Sequence, residues 1–262
     1  MQRAQRVATA AVAAGIAAAL ALTGCSSGSE SGSSGSTTAT STITDPAALV
    51  SAAADSTAAL TGAHLNLVVT GTIPNLTAKA VEADVTTKPQ MAAKGTATVL
   101  LGTTEVKAPF VYVDEHLYAD IGDEGFVDYG DGRSIYDVSV VLDPDKGLAN
   151  LLRQIQNPTK TGAAEVDGVQ ATQVTGTVAA MTLAPLTGVN VTANQNAQVP
   201  ITVWITADNQ LARVAITPVP NSSMTITLSK WNDTVEVSKP SQIVTPSAST
   251  PPNPADASRV PA

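Results

Sequence analysis

This chain of 262 residues has one cysteine, two histidines and only 3% aromatic residues. A single cysteine, Cys25, leaves no partner for a disulfide. The histidines, His64 and His116, stand in no metal-ligand spacing such as His-x-x-x-His, and there is no second thiol to join them, so no metal site and no cofactor are expected. Both read as structural or surface histidines. Basic residues are scarce as well. The formal charge is −8, and no Lys/Arg patch is present that would grip phosphates, which argues against nucleic acid as a partner. Beyond the N-terminal segment no apolar run is long enough to span a bilayer. A Gly-x-Ser-x-Gly pattern occurs at Gly24-Cys25-Ser26-Ser27-Gly28, outside any strand–turn–helix context, and carries no nucleophile elbow.

What is present begins at the N-terminus. Arg3 and Arg6 precede an apolar stretch from Val7 to Leu22, the charged-then-apolar pattern of a secretory signal. It closes on Leu22-Thr23-Gly24-Cys25, a lipobox: aliphatic, small, Gly, Cys. Residues 1–24 are therefore expected to be removed, leaving Cys25 acylated as the mature N-terminus. Two chains of a diacylglyceryl group, at roughly 0.8 kcal/mol per buried methylene, anchor stably where one does not. The protein is then lipid-anchored at the extracytoplasmic face of the cell membrane, in the cell envelope, away from cytosolic ATP, NADH and nucleic acid.

Residues 25–44 hold the lipidated cysteine and a Ser/Thr/Gly-rich tether: from Ser26 to Thr44, 16 of 19 residues are Ser, Thr or Gly. Such composition cannot bury enough surface to order itself, and its reach is roughly 25 Å by random-coil scaling. Residues 241–262 contain five prolines and read as a disordered tail. Between them, 45–240 is long enough for one domain with a sizeable core.

That domain opens with a helix: Thr44 or Asp45 as cap, Pro46 in the first turn, then an Ala/Leu-rich run to Leu60. Strands follow at Leu65–Val69, Ala78–Thr86, Thr96–Leu101, Ala108–Val113 and Leu117–Ile121, by their period of two. Ile135–Leu142 forms a turn or two of helix. Asp143-Pro144 is expected to start a further helix with Leu148, Leu151, Leu152 and Ile155 on its apolar face, and Pro158 to stop it. Asp167-Gly168 signals a hairpin. A short helix is expected at Ala179–Leu186, then strands at Ile201–Thr206, Leu211–Pro218, Met224–Lys230 and Val235–Val237. Short turns between consecutive strands make them antiparallel, so the fold class is α+β with a large antiparallel sheet.

The core poses a question, because 44% of residues are hydrophobic yet few are large aromatics. Either helices pack tightly on the sheet, or a curved sheet leaves an apolar cavity beneath them; composition by itself favours tight packing. Five carboxylates, Asp120, Asp123, Glu124, Asp128 and Asp131, cluster in one stretch, but their spacing matches no EF-hand and reads as a solvated hairpin rim. Trp204 and Trp231 read as packing anchors.

Several stretches are distinctive together: Thr70-Gly-Thr-Ile-Pro-Asn-Leu76, Phe110-Val-Tyr-Val-Asp-Glu-His-Leu-Tyr118, Ser134-Ile-Tyr-Asp-Val-Ser-Val-Val-Leu-Asp-Pro-Asp-Lys-Gly-Leu-Ala-Asn-Leu-Leu152, Val203-Trp-Ile205 and Thr225-Ile-Thr-Leu-Ser-Lys-Trp231. Through them the chain resembles the mycobacterial LppX/LprA/LprF/LprG lipoproteins, the LprA-like branch above all, over nearly all of 45–240. The resemblance implies an antiparallel half-barrel with helices on its concave face, enclosing an apolar cavity for acylated lipids or glycolipids that the protein carries or presents, without catalysis. A membrane exporter is a candidate partner by analogy. The cavity is expected to be lined by same-face strand sets: Leu67 and Val69; Ala97, Val99 and Leu101; Val203 and Ile205; Val214 and Ile216; Met224, Ile226 and Leu228. Leu148, Leu151, Leu152 and Ile155 are expected to close it from the helix side. Two other readings stand beside the carrier: a non-catalytic signalling or scaffold module contacting a membrane sensor or transporter, and an envelope hydrolase with a Ser near His64 or His116.

Overall fold

The computed structural model describes residues 42–74, 76–122, 124–131, 138–187 and 196–245. Helix α1 (Pro46–Ala58) starts as its sequence dictates. Asp45 caps it by accepting the Ala48 N–H at 3.0 Å, and Pro46 occupies the first turn where no donor is needed. Its buried stripe is Leu49, Val50, Ala53, Ala54 and Thr57.

The strands are β1 (Gly62–Thr70), β2 (Ala78–Thr86), β3 (Ala92–Leu101), β4 (Thr104–Val113), β5 (His116–Ala119), β6 (Val127–Asp131), β7 (Gln156–Val166), β8 (Val169–Ala179), β9 (Gln198–Thr206), β10 (Leu211–Val219) and β11 (Ser222–Ser229), with α2 (Leu148–Arg153) before β7 and α3 (Ala180–Thr187) after β8. Among the described residues they form one 11-stranded sheet in the order β6-β5-β4-β3-β2-β1-β11-β10-β9-β8-β7. Two antiparallel meanders are thus joined by their first and last strands, with Leu65 opposite Leu228, Leu67 opposite Ile226 and Val69 opposite Met224. The sheet is open, with β6 and β7 as its edges. The α+β class expected from the sequence is the fold observed.

Four local readings differ from the sequence expectation. Helix α2 does not start at Asp143-Pro144. The Asp143 carboxylate accepts the N–H groups of Asp145 at 2.8 Å and Lys146 at 2.9 Å, and its carbonyl accepts Gly147 N–H, so it closes a turn of its own. The helix begins one residue past Gly147, where a Cβ would lie 2.0 Å from the Val140 carbonyl oxygen. Pro158 does not stop that helix, which has ended at Arg153. It lies in edge strand β7, where a missing donor is tolerated. Val235–Val237 is not a strand. Residues around it cross the outer side of β3–β5: Lys94 Nζ donates to the Glu236 carbonyl at 2.9 Å, Val237 packs with Ala92, Val113 and Tyr118, and Val244 N–H reaches the Phe126 carbonyl at 2.8 Å. Finally, part of the acidic stretch is strand β6. The Asp167-Gly168 turn is as expected, with φ of 49° and 84° in the two-residue β7–β8 hairpin.

The sheet's two sides differ. A small outer cluster joins Val166, Ala171 and Ala212 with Trp204 and Trp231, while the main core lies on the inner side with the helices. The indole N–H of Trp231 donates to the Leu211 carbonyl at 3.1 Å, and the Arg213 guanidinium lies 5.8 Å above the Trp204 ring. Both tryptophans therefore pack the sheet.

Candidate functional site

Strand alternation sends every second side chain inward, and cross-strand pairing aligns those side chains in rows. One row runs Val174, Val203, Val214, Ile226, Leu67, Val81, Ala97, Ala108 across eight strands, β8 to β4. A second runs Leu65, Ala83, Gly95, Phe110, Ala119. Side-chain size falls along the first row from branched aliphatics to alanines.

Packing dips at its middle. Val203 is 0% exposed, Val214 and Ile226 1%, whereas Val81 and Ala97 are half-buried and Ala108, at the far end, is buried again. The helices lie toward one side of the sheet. Their main strand partners are β7, β9 and β10 for α1 and β8 for α3, and α2 packs between α1 and α3. Ile155 comes down where β8 has no side chain: a Cβ on Gly176 would lie 2.6 Å from Ile155 Cγ2. The β8–β11 half of the inner face is a sealed aliphatic core; on β2–β4 the inner residues Ala83, Ala93, Ala108, Phe110 and Tyr112 are buried too, while Val81, Ala97, Val99, Leu101 and Val106 stay half-buried.

The structure brings most of the expected inner-face residues together. Leu67, Val69, Leu148, Leu151, Leu152, Val203, Ile205, Val214, Ile216, Met224, Ile226 and Leu228 belong to one buried cluster, with Ala97 and Ile155 packed at its margin. Val99 and Leu101 lie on the same face but outside that cluster, half-buried toward the β3–β4 turn opposite Val106 and Thr104. Inner residues that sequence patterning left unnamed are Ala83, Ala93, Gly95, Ala108, Phe110 and Tyr112, all on predicted strands or their extensions. Tyr129 on β6 also packs against this cluster.

The two histidines and their carboxylate partners lie elsewhere. His64 pairs with Asp84 at 2.8 Å on the outer side of β1 and β2. His116 Nδ1 sits 3.0 Å from Asp128 Oδ1. Burial alone would raise the Asp128 carboxyl; hydrogen bonds from His116 and the Gly130 N–H, with the charges of His116 and Lys239, outweigh it and hold the group below its ordinary value. Asp120 accepts the Gly125 N–H at 3.1 Å. Among the described residues no group of three or more His, Cys, Asp or Glu could hold a metal ion, and no helix is long and apolar enough to cross a membrane. Cys25 and Asp123 lie outside the described residues.

Fold and face together define an α+β open-sheet protein whose inner side offers an apolar surface that helices only partly cover. Comparison with known proteins gives the family. A family model described as LppX_LprAFG lipoprotein matches residues 45–237. Lipoprotein LprA of Mycobacterium tuberculosis is 43% identical over 199 residues, covering 75% of this chain and 82% of that protein. The lipoarabinomannan carrier protein LprG of Mycobacterium leprae is 38% identical over 202 residues, with 75% and 82% covered. The crystal structure of LprF from Mycobacterium bovis superposes with a TM-score of 0.68 at 28% identity, over 74% of this chain and 96% of that one. The chain belongs to the LppX_LprAFG lipoprotein family.

Proposed function

We propose that this chain is a membrane-anchored lipoprotein of the cell envelope that holds the acyl chains of a lipid or glycolipid against the inner face of its sheet, and carries or presents that lipid without chemical change. The observation that supports this most is the asymmetry of the inner face. Helices pack on β7–β10, while on β2–β4 Val81, Ala97, Val99, Leu101 and Val106 stay half-buried among buried neighbours. A surface of this kind offsets the cost of taking acyl chains out of a bilayer, at about 25 cal/mol per Å² of apolar area. The printed role of LprG as a lipoarabinomannan carrier supports the same reading. Lipidation at Cys25 supplies the anchor, with the Ser/Thr/Gly-rich segment as tether at the extracytoplasmic face.

The test is native mass spectrometry of the full chain purified from a mycobacterial-type host, with the same sample extracted for lipidomics. A reproducible adduct that resolves to an acylated lipid is expected. A lipid-free protein that also refuses fluorescent acyl probes overturns the carrier reading and favours a scaffold or signalling module.

A further inference from the structure

Buried hydroxyl groups are nearly always hydrogen-bonded, and an exception calls for an explanation. Among the described residues three buried side-chain polar atoms have no hydrogen-bond partner: Tyr129 Oη, Thr172 Oγ1 and Gln210 Oε1. They differ in place. Gln210 is in the β9–β10 connection, and Thr172, 0% exposed, is sealed in the helix-covered half opposite Ile205. Tyr129 lies on β6, at the other end of the sheet, two residues after Val127, which pairs with Ala119 and so continues the row from Gly95 and Phe110. Its neighbour Asp128 is turned the other way, to His116. The Tyr129 ring packs against the main inner cluster, to which β4 and β5 contribute Phe110, Tyr112 and Ala119, with Leu117 also packed against it. An unpaired hydroxyl is therefore placed on the inner face, in the half of the sheet that the helices cover least.

We propose that Tyr129 Oη donates a hydrogen bond to an ester carbonyl of the held lipid, fixing how deep the acyl chains sit along the inner face. This rests on the carrier reading. The chemistry selects the ester. A lone donor set among apolar side chains suits a lone acceptor flanked by hydrocarbon, whereas a sugar brings several hydroxyls that each need a partner. A phosphate is disfavoured by the Asp120 carboxylate. Burial, with the charge of Asp120, also pushes the phenol pKa up, so the group is a protonated donor at neutral pH.

Tyr129→Phe removes the hydroxyl and keeps the ring. The full chain, wild type and variant, is titrated with 1,2-dipalmitoylglycerol and with its diether analogue 1,2-dihexadecylglycerol, which lacks the carbonyls, in competition with a fluorescent fatty acid. The wild type is expected to prefer the diester about fivefold, the size of one net hydrogen bond. The variant should lose that preference while binding the diether as wild type does. Its ligand-free melting temperature should equal or exceed wild type, because a buried unpaired group has gone. An unchanged diester preference in the variant overturns the proposal. So does an equal loss for both lipids, which marks a packing role, or a clear fall in ligand-free melting temperature, which shows the hydroxyl already paired. A wild type that takes up neither lipid overturns the carrier reading itself, and this inference with it.

Discussion

Phe110 stands directly opposite Gly95 on the inner face of the sheet, an aromatic ring across from the one residue of its row without a side chain. On the other flank Gly95 pairs with Ala83, and the strands come so close that a Cβ on Gly95 would lie 2.0 Å from the Glu82 carbonyl oxygen and 2.8 Å from Ala83 Cβ. A glycine inside a strand marks such a close approach. It sets the path of β3 against β2.

Gly95→Ala is therefore expected to force β2 and β3 apart and to destabilise the domain by about 1–3 kcal/mol, the range for overpacking a fitted site. Chemical denaturation of the full chain measures this. A variant as stable as wild type would show that the strands separate freely here.

Ala97 faces Val81 on one side and Ala108 on the other, half-buried on the inner face. Ala97→Trp places a large ring in the half of the sheet that helices cover least. The protein should fold, by circular dichroism, and its uptake of an acylated lipid should fall by an order of magnitude or more. Wild-type amounts of co-purified lipid would remove Ala97 from the holding surface.

The Asp128 carboxyl is held below its ordinary value. A lowered folded-state pKa contributes stability above the unfolded value, about 3.9, and loses it as pH falls through the folded one. Asp128→Asn should thus be slightly less stable than wild type at neutral pH, and the gap should close as pH drops below about 4. The contribution is small because both His116 and Asp128 are partly exposed. Thermal melts of both proteins across the pH range check the sign; a gap that widens in acid contradicts it.

Cys25→Ser removes the proposed acylation site while leaving the folded domain intact. Fractionation of cells producing the variant should find it released from the membrane, or retained as an uncleaved precursor, with no incorporation of labelled palmitate. Palmitate label on the variant would place the acyl group elsewhere.

Much of this was legible in the sequence, and the reasons are local. Leu65, Leu67 and Val69 alternate with Asn66 and Thr70, and Met224, Ile226 and Leu228 with Thr225 and Thr227, so the period is readable, while the inward side becomes plain only from the burial of these residues. Strand β7 is an edge strand exposed along nearly its whole length, so its sequence carries no alternation to read. Val235-Glu236-Val237 does alternate, but the pattern serves packing on the outer side of β3–β5 instead of strand pairing. Tyr129 was hidden because β6 is five residues long, too short for a period to stand out among carboxylates. The start of α2 was misread because Asp143 has the same side-chain chemistry in a closed turn as in a helix cap.

The measurement that tests the account most directly is photo-crosslinking of the full chain with a diacylglycerol carrying a diazirine along one acyl chain, followed by peptide mapping. The account predicts adducts on inner-face residues of β1–β4, such as Leu67, Val81, Ala97 and Val106. Adducts confined to outer-face positions such as Val68, or spread evenly over both sides of the sheet, would contradict it.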